Sequence, residues 1–347
     1  MKKISLMMIA LFACASLFAE SYDDSCEPKP VCPPLPPFCD LPQAPTMGAY
    51  NAPARVDVCG SWDFFIQGSF IYWLTYEEGL FVGHINPTDL DTNASQMIDF
   101  DYKLKPGFKV AIGGNSDYDD WSGMLQYTWY HFTINNTFNR PAGYTFTSNI
   151  GSSVVTTPTV SKDRWNYKYD MLDLDMYRMY YNGKKLTFKT IYGLKGGWLR
   201  QTWSNELSSA SVTDVPATAF QKSWIIGPKI GINTNWCLGS GFSFFGNAAA
   251  SLFYQKFSTV SYQSKNTNKT TNAANANYSF SLVNPSAEAF LGFDYGTYFD
   301  RNNWHFDLLA GYEIQYLFNQ NMFSSSIHKS PLDIMMHGLT VTARFDF

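Results

Sequence analysis

From Trp62 to the last residue, apolar and polar side chains alternate with a period of two, the spacing of strands that hide one face from water. In the opening segment Trp62, Phe64, Ile66, Gly68, Phe70, Tyr72, Leu74 and Tyr76 share one face. Asp63, Gln67, Ser69, Thr75 and Glu77 take the other, with Phe65, Ile71 and Trp73 as exceptions. A second segment sets Phe100, Tyr102, Leu104, Phe108, Val110 and Ile112 against Asp101, Lys103, Lys105, Gly107, Lys109 and Gly113. A one-residue slip there would bring three lysines into the apolar layer, so the register is strongly specified. Trp121 to Thr133 follows, with Trp121, Leu125, Tyr127 and Trp129 on the apolar side. Between Trp165 and Tyr181 the apolar set changes phase, from Trp165, Tyr167, Tyr169 and Met171 to Leu172, Leu174 and Met176, which predicts a β-bulge. Residues 186–198, 224–236, 242–254, 287–295, 304–316 and 339–347 bring the segments to ten.

The connections alternate in length. Short turns at 115–120, 182–184, 237–241 and 297–303 interleave with long polar stretches at 77–98, 134–163, 202–221, 256–278 and 317–337. Short turns on one rim and long loops on the other describe an antiparallel transmembrane β-barrel, with the turns and both termini periplasmic and the strand number even. The expectation is an all-β fold of about ten strands, or twelve if 257–262 and 278–282 form a further hairpin. A soluble β-sandwich would also alternate. Its core would favour central aliphatics, whereas here the apolar faces begin and end on rings: Trp62 and Tyr76, Trp121 and Trp129, Trp224 and Trp236, Trp304 and Tyr316. Amphipathic rings belong at the two edges of a membrane. The last residue, Phe347, ends an alternating strand in the manner of a signal for outer-membrane assembly machinery.

The N-terminus changes the picture in the same direction. Lys2 and Lys3 precede an apolar stretch from Ile4 to Ala13, and Ala19 offers a small residue for cleavage, so residues 1–19 read as a secretory signal peptide. Leu11-Phe12-Ala13-Cys14 is the alternative, a loose lipobox. Residues 20–58 form a Pro-rich arm in which proline forbids helix and interior strand, and residues 59–347 form the barrel. Losing Lys2 and Lys3 takes the formal charge from −4 to −6, too little to argue for a nucleic-acid partner.

Opposite the apolar faces lie Lys103, Lys105, Lys109, Asp170, Asp173, Asp175, Lys195, Lys229, Glu288, Asp294, Asp307, Glu313 and Arg344. These candidate lumen residues carry both signs. They suit either a mutually neutralised network filling a narrow barrel or the wall of a weakly selective channel. The five histidines fall in no recognisable motif, and the chain lacks a Walker loop, dinucleotide fingerprint, CxxC or HExxH. No enzyme activity, cofactor or metal is expected. Cys26, Cys32, Cys39 and Cys59 precede the first strand, and Cys237 lies in a short turn, so all five would face an oxidising periplasm. Five is odd, so at least one thiol is free or paired with another molecule.

Three stretches, GSWDFFIQGSFIYWLTYEEGL, DYKLKPGFKVAIGGNSDYDDW and MLDLDMYRMYYNGKKLTFKTIYGLKGGWLRQ, resemble the Legionella-type major outer membrane proteins and the similar porins of Chlamydia-related bacteria. The resemblance covers about residues 57 to 347. It implies a pore for passive diffusion of ions and small solutes, and it makes disulfide links between neighbouring envelope proteins attractive. Ten strands are fewer than a wide general porin would have. A second expectation is therefore a structural envelope protein or surface adhesin with a plugged barrel. The expected partners are outer-membrane lipid, the assembly machinery, and copies of the chain or other disulfide-linked proteins.

Overall fold

Hydrocarbon offers no water to an unpaired backbone amide, so a sheet that crosses it has to close on itself. The computed structural model describes residues 53–58, 63–88, 95–116, 119–151, 155, 157–323 and 332–347. Its strands are β1 (Phe64–Glu77), β2 (Phe81–Pro87), β3 (Gln96–Asp99), β4 (Lys105–Asn115), β5 (Trp121–Asn139), β6 (Tyr144–Ser148) and β7 (Val160–Tyr181). They continue with β8 (Leu186–Ser208), β9 (Val215–Gly239), β10 (Phe242–Lys265), β11 (Asn272–Phe299), β12 (Trp304–Asn321) and β13 (Leu332–Asp346). Ten of them close an antiparallel barrel in the order β1-β13-β12-β11-β10-β9-β8-β7-β5-β4, and β3-β2-β6 form a separate small sheet. Ten strands stand, not twelve: 257–262 and 278–282 belong to β10 and β11.

Closure fixes the tilt. Directly opposed partners lead from Tyr76 to Met335, Tyr316, Ala287, Ala250, Ile230, Tyr192, Met176, Gly123, Gly114 and finally Phe64, twelve residues back along β1. A stagger of twelve over ten strands corresponds to strands inclined at about 40°. The stretch from Phe64 to Tyr76 then climbs about 30 Å, enough for an apolar band. The seam is sealed where the two ends of the barrel wall meet, Phe64 N–H donating to Phe347 O (3.2 Å) and Phe347 N–H to Phe64 O (3.0 Å). Tight hairpins on this terminal rim need left-handed backbone, as at Gly183 with φ 89°.

The outward faces are apolar and exposed: Phe70, Ile112, Leu194, Ile230 and Val283 each leave about half of their surface or more open. That much contiguous apolar surface suits lipid and not water. The expected face of β1 holds, and its three exceptions, Phe65, Ile71 and Trp73, point inward and are buried.

Three expectations are corrected. No bulge interrupts β7, whose pairing to β5 and β8 runs without a register shift. Its odd residues face inward throughout, so Trp165, Tyr167 and Tyr169 line the interior. What changes phase is the environment: β7 climbs out of the apolar band, where its outward face turns polar and its inward face turns aromatic. Residues 100–104 are not strand. Phe100 is buried against Trp165 and Trp203 at 6.3 and 5.8 Å between ring centroids, while Lys103 is exposed and pairs with Asp101 at 2.6 Å. Lys103 is therefore no lumen residue. Finally, the stretches at 202–221 and 256–278 are mostly strand, carrying the barrel wall beyond the band.

Candidate functional site: the barrel lumen

The interior is filled at three heights. At the distal mouth, β2 and β6 pair, and Leu80, Val82, Ile85 and Phe146 from this part of the chain pack inward onto the wall. They meet Tyr130, Phe132, Trp165, Tyr167, Trp203 and Leu207, all nearly inaccessible. Indole donors are satisfied within this plug: Trp165 donates to Gln201 (3.1 Å) and Trp203 to Asp163 (3.0 Å). Glu77 is enclosed at the base of the plug, and neither carboxylate oxygen has a hydrogen-bond partner among the described residues.

Beneath lies a charged layer that crosses the lumen. Lys109 on β4 meets Glu313 on β12 at 2.5 Å, and Thr340 donates to the other Glu313 oxygen at 2.8 Å. Gln315 bridges Glu313 and Glu288, 2.9 Å from each. Lys195 reaches Glu288 at 2.7 Å and Asp173 at 3.6 Å. Lys229 holds Asp173 (2.9 Å), Asp175 (2.8 Å) and Glu288 (3.4 Å). Strands β4, β7, β8, β9, β11 and β12 all contribute, so three lysines and four carboxylates form one continuous network. Such pairing is what buried charge requires, because a lone ion there would be strongly disfavoured.

Nearest the terminal rim, Arg344 pairs with Asp346 at 2.5 Å and lies 3.9 Å over the Phe65 ring. His305 sits between Asp346 (3.4 Å) and Asp307 (3.5 Å). Residues 53–58 run along this rim, with Ala54 N–H donating to Met179 O at 3.0 Å.

Of the sequence candidates, the structure therefore gathers Lys109, Asp173, Asp175, Lys195, Lys229, Glu288 and Glu313 into the central layer. It places Asp294, Asp307 and Arg344 below it. Lys105 keeps the inward parity of β4 and is half-buried. Asp170, expected inside, faces outward, where His131 (2.9 Å) and Tyr127 (2.7 Å) hold it. The sequence reading missed Gln315, Thr340 and the interior aromatics. The basic run Lys162, Arg164, Lys168 opposite Trp165 and Tyr167 was the available signal, since lysine and arginine do not face lipid. Cys237 lies near the end of β9, and Cys26, Cys32, Cys39 and Cys59 fall outside the described residues.

A closed barrel with an apolar exterior and a charged interior defines the outer-membrane β-barrel class. The chain belongs to the Legionella pneumophila major outer membrane protein family, whose model matches residues 57–347. It is thus an outer-membrane protein. No curated protein sequence matches it well enough to count as a relative. Among solved structures it is similar to the outer membrane protease OmpT of Escherichia coli, at 11% identity and a TM-score of 0.44, covering 82% of this chain and 96% of that one. It is also similar to a FadL homologue of Pseudomonas aeruginosa (6% identity, TM-score 0.28, covering 82% and 90%). A third is the toluene transporter TbuX of Ralstonia pickettii (11%, 0.27, 81% and 89%). At these scores the likenesses carry no argument about activity.

Proposed function

We propose that this protein is a structural, surface-presenting outer-membrane barrel whose lumen is sealed in the conformation described. One observation carries the reading: Lys195, Asp173 and Glu313 face the lumen, yet are only 4%, 2% and 4% exposed. A continuous water column would leave such a lining accessible. The short turns and the seam share one rim, which supports periplasmic termini, with the small sheet β3-β2-β6 as an extracellular lid. The cysteine arm would then lie where disulfides to neighbouring envelope proteins can form. Neither this reading nor the next calls for a catalytic step.

Porin-like diffusion of ions and small solutes is the second reading, favoured by the hydrophilic central layer. A barrel filled only for stability would do as well with apolar side chains. Under this reading, movement of the small sheet and rearrangement of the charged layer together would open a polar path. Planar-bilayer recording of the purified protein separates the two. The sealed reading expects no stepwise conductance, and regular steps from the unmodified protein would replace it with the porin reading. Identical monomer bands on reducing and non-reducing gels of whole envelopes would count against disulfide linkage.

A further inference from the structure

The outer wall carries a feature that neither reading uses. On β5, β8, β9 and β10 an outward aromatic is followed, two positions further toward the distal rim, by a basic residue: Trp129 and His131, Trp198 and Arg200, Trp224 and Lys222, Tyr254 and Lys256. Trp198 and Trp224 are direct cross-strand partners, and the Trp224 and Tyr254 rings lie 5.6 Å apart. Such rings mark the level at which the wall leaves hydrocarbon for the headgroups.

Immediately beyond it, His131 opposes Lys168, Lys168 opposes Arg200, and Arg200 opposes Lys222. Like charges facing each other across strands repel, as Lys168, Arg200 and Lys222 do here. Yet Lys168, Arg200, Lys222 and Lys256 form no ion pair among the described residues. The one acid between them, Asp170, is already held by His131 and Tyr127. His131, Lys168, Asp170, Trp198, Arg200 and Lys222 border a recess of about 330 Å³ on this face. On the opposite side of the barrel the corresponding positions, two beyond Tyr76 and Met335, are the acids Glu78 and Asp333. The positive charge is thus concentrated on one side of the barrel, at headgroup height.

We infer that this recess is a binding site for the phosphate of a membrane lipid headgroup, whose acyl chains lie along the apolar wall below Trp198 and Trp224. The Arg200 guanidinium presents a planar fork matched to two phosphate oxygens, and the flanking lysines add point charges on flexible stems. Indole rings beneath them pack against the glycerol or sugar portion. The site lies outside the barrel and is independent of whether the lumen conducts.

Native mass spectrometry of the full, detergent-solubilised protein titrated with bisphosphorylated lipid A tests this, beside the same lipid dephosphorylated and inorganic phosphate as competitor. Wild-type protein binds the phosphorylated lipid in preference. R200Q/K222Q weakens that binding about thirtyfold, the effect of two interfacial cations, while K103Q on a neighbouring exposed loop leaves it unchanged. Folding of each variant is checked by its migration on unheated gels. Should the double variant not fold, the wild type in 1 M salt serves instead, where screening to about 3 Å abolishes the preference. Equal binding of the dephosphorylated lipid, unchanged affinity in R200Q/K222Q or persistence in high salt overturns the site. Full displacement by millimolar inorganic phosphate overturns a lipid in favour of a free anion.

Discussion

Lys229 touches three carboxylates in a space with almost no solvent, and its loss would leave Asp173 and Asp175 as adjacent buried anions. Breaking a buried ion pair from one side costs about 3–5 kcal/mol. Lys229→Met is therefore expected to lower the urea midpoint of the purified barrel sharply, and wild-type stability would show that the network is idle. Glu77 presents the opposite case. Its carboxylate has no cation to pair with among the described residues, and the neighbouring Gln201 amide offsets only part of the cost of burying it, so Glu77→Met is expected to raise stability by about 1–3 kcal/mol in the same assay. Alternation made the inward pair Asp173 and Asp175 legible, because a carboxylate between leucines has only one tolerable side. It misled at Lys103. Side chains at 100–104 keep alternating after the backbone has left the sheet, and alternation reports side-chain chemistry without reporting hydrogen bonds. Gln315 and Thr340 stayed hidden for another reason: uncharged polar residues look alike whether they join buried acids or face water.

At the scale of elements, β7 shows where periodicity stops being sufficient. A strand of 22 residues outruns the apolar band, and the two solvents on its outer face exchange partway along. Read with one hydrophobic side throughout, Trp165 to Met171 and Leu172 to Met176 demand a bulge. With lipid below and water above, they demand none. The same mistake turned the distal ends of β8 to β11 into loops, since extended wall in water carries Ser, Thr and Asn just as loops do. The lid follows from this geometry too. Ladder bonds of the ten wall strands do not pass through β2 or β3, so replacing residues 81–99 with a short Gly-Ser linker is expected to leave a folded barrel. The plug would lose Val82 and Ile85 from its upper surface. Under the sealed-lumen reading, intermittent conductance appears only in this shortened protein, and a silent bilayer would mean that the wall aromatics and the charged layer close the lumen unaided.

The whole barrel is closed by one strand pairing between its most distant parts. Phe64 and Phe347 exchange two backbone hydrogen bonds, and the Phe347 ring lies 6.0 Å from Trp304 and 6.2 Å from Phe345. Nine of the ten strand pairings join segments near in sequence, and β1 with β13 joins the beginning of the barrel to its end. Loop-closure entropy makes such a pairing the costliest to initiate. Its terminal residue therefore belongs to the step that completes folding, and adds little to a finished barrel held by complete ladders elsewhere. Deleting Phe347 removes both bonds and the ring, whereas Phe347→Ala removes the ring alone. The deletion is expected to slow appearance of the heat-modifiable folded band several-fold during refolding into micelles, with Phe347→Ala intermediate. Unfolding in urea should change by less than about twofold for either variant, since interactions formed at the transition state alter the folding rate with little effect on unfolding. A deletion that folds at the wild-type rate but unfolds faster would place seam closure after the rate-limiting step, and the role of Phe347 would then be to hold the barrel shut.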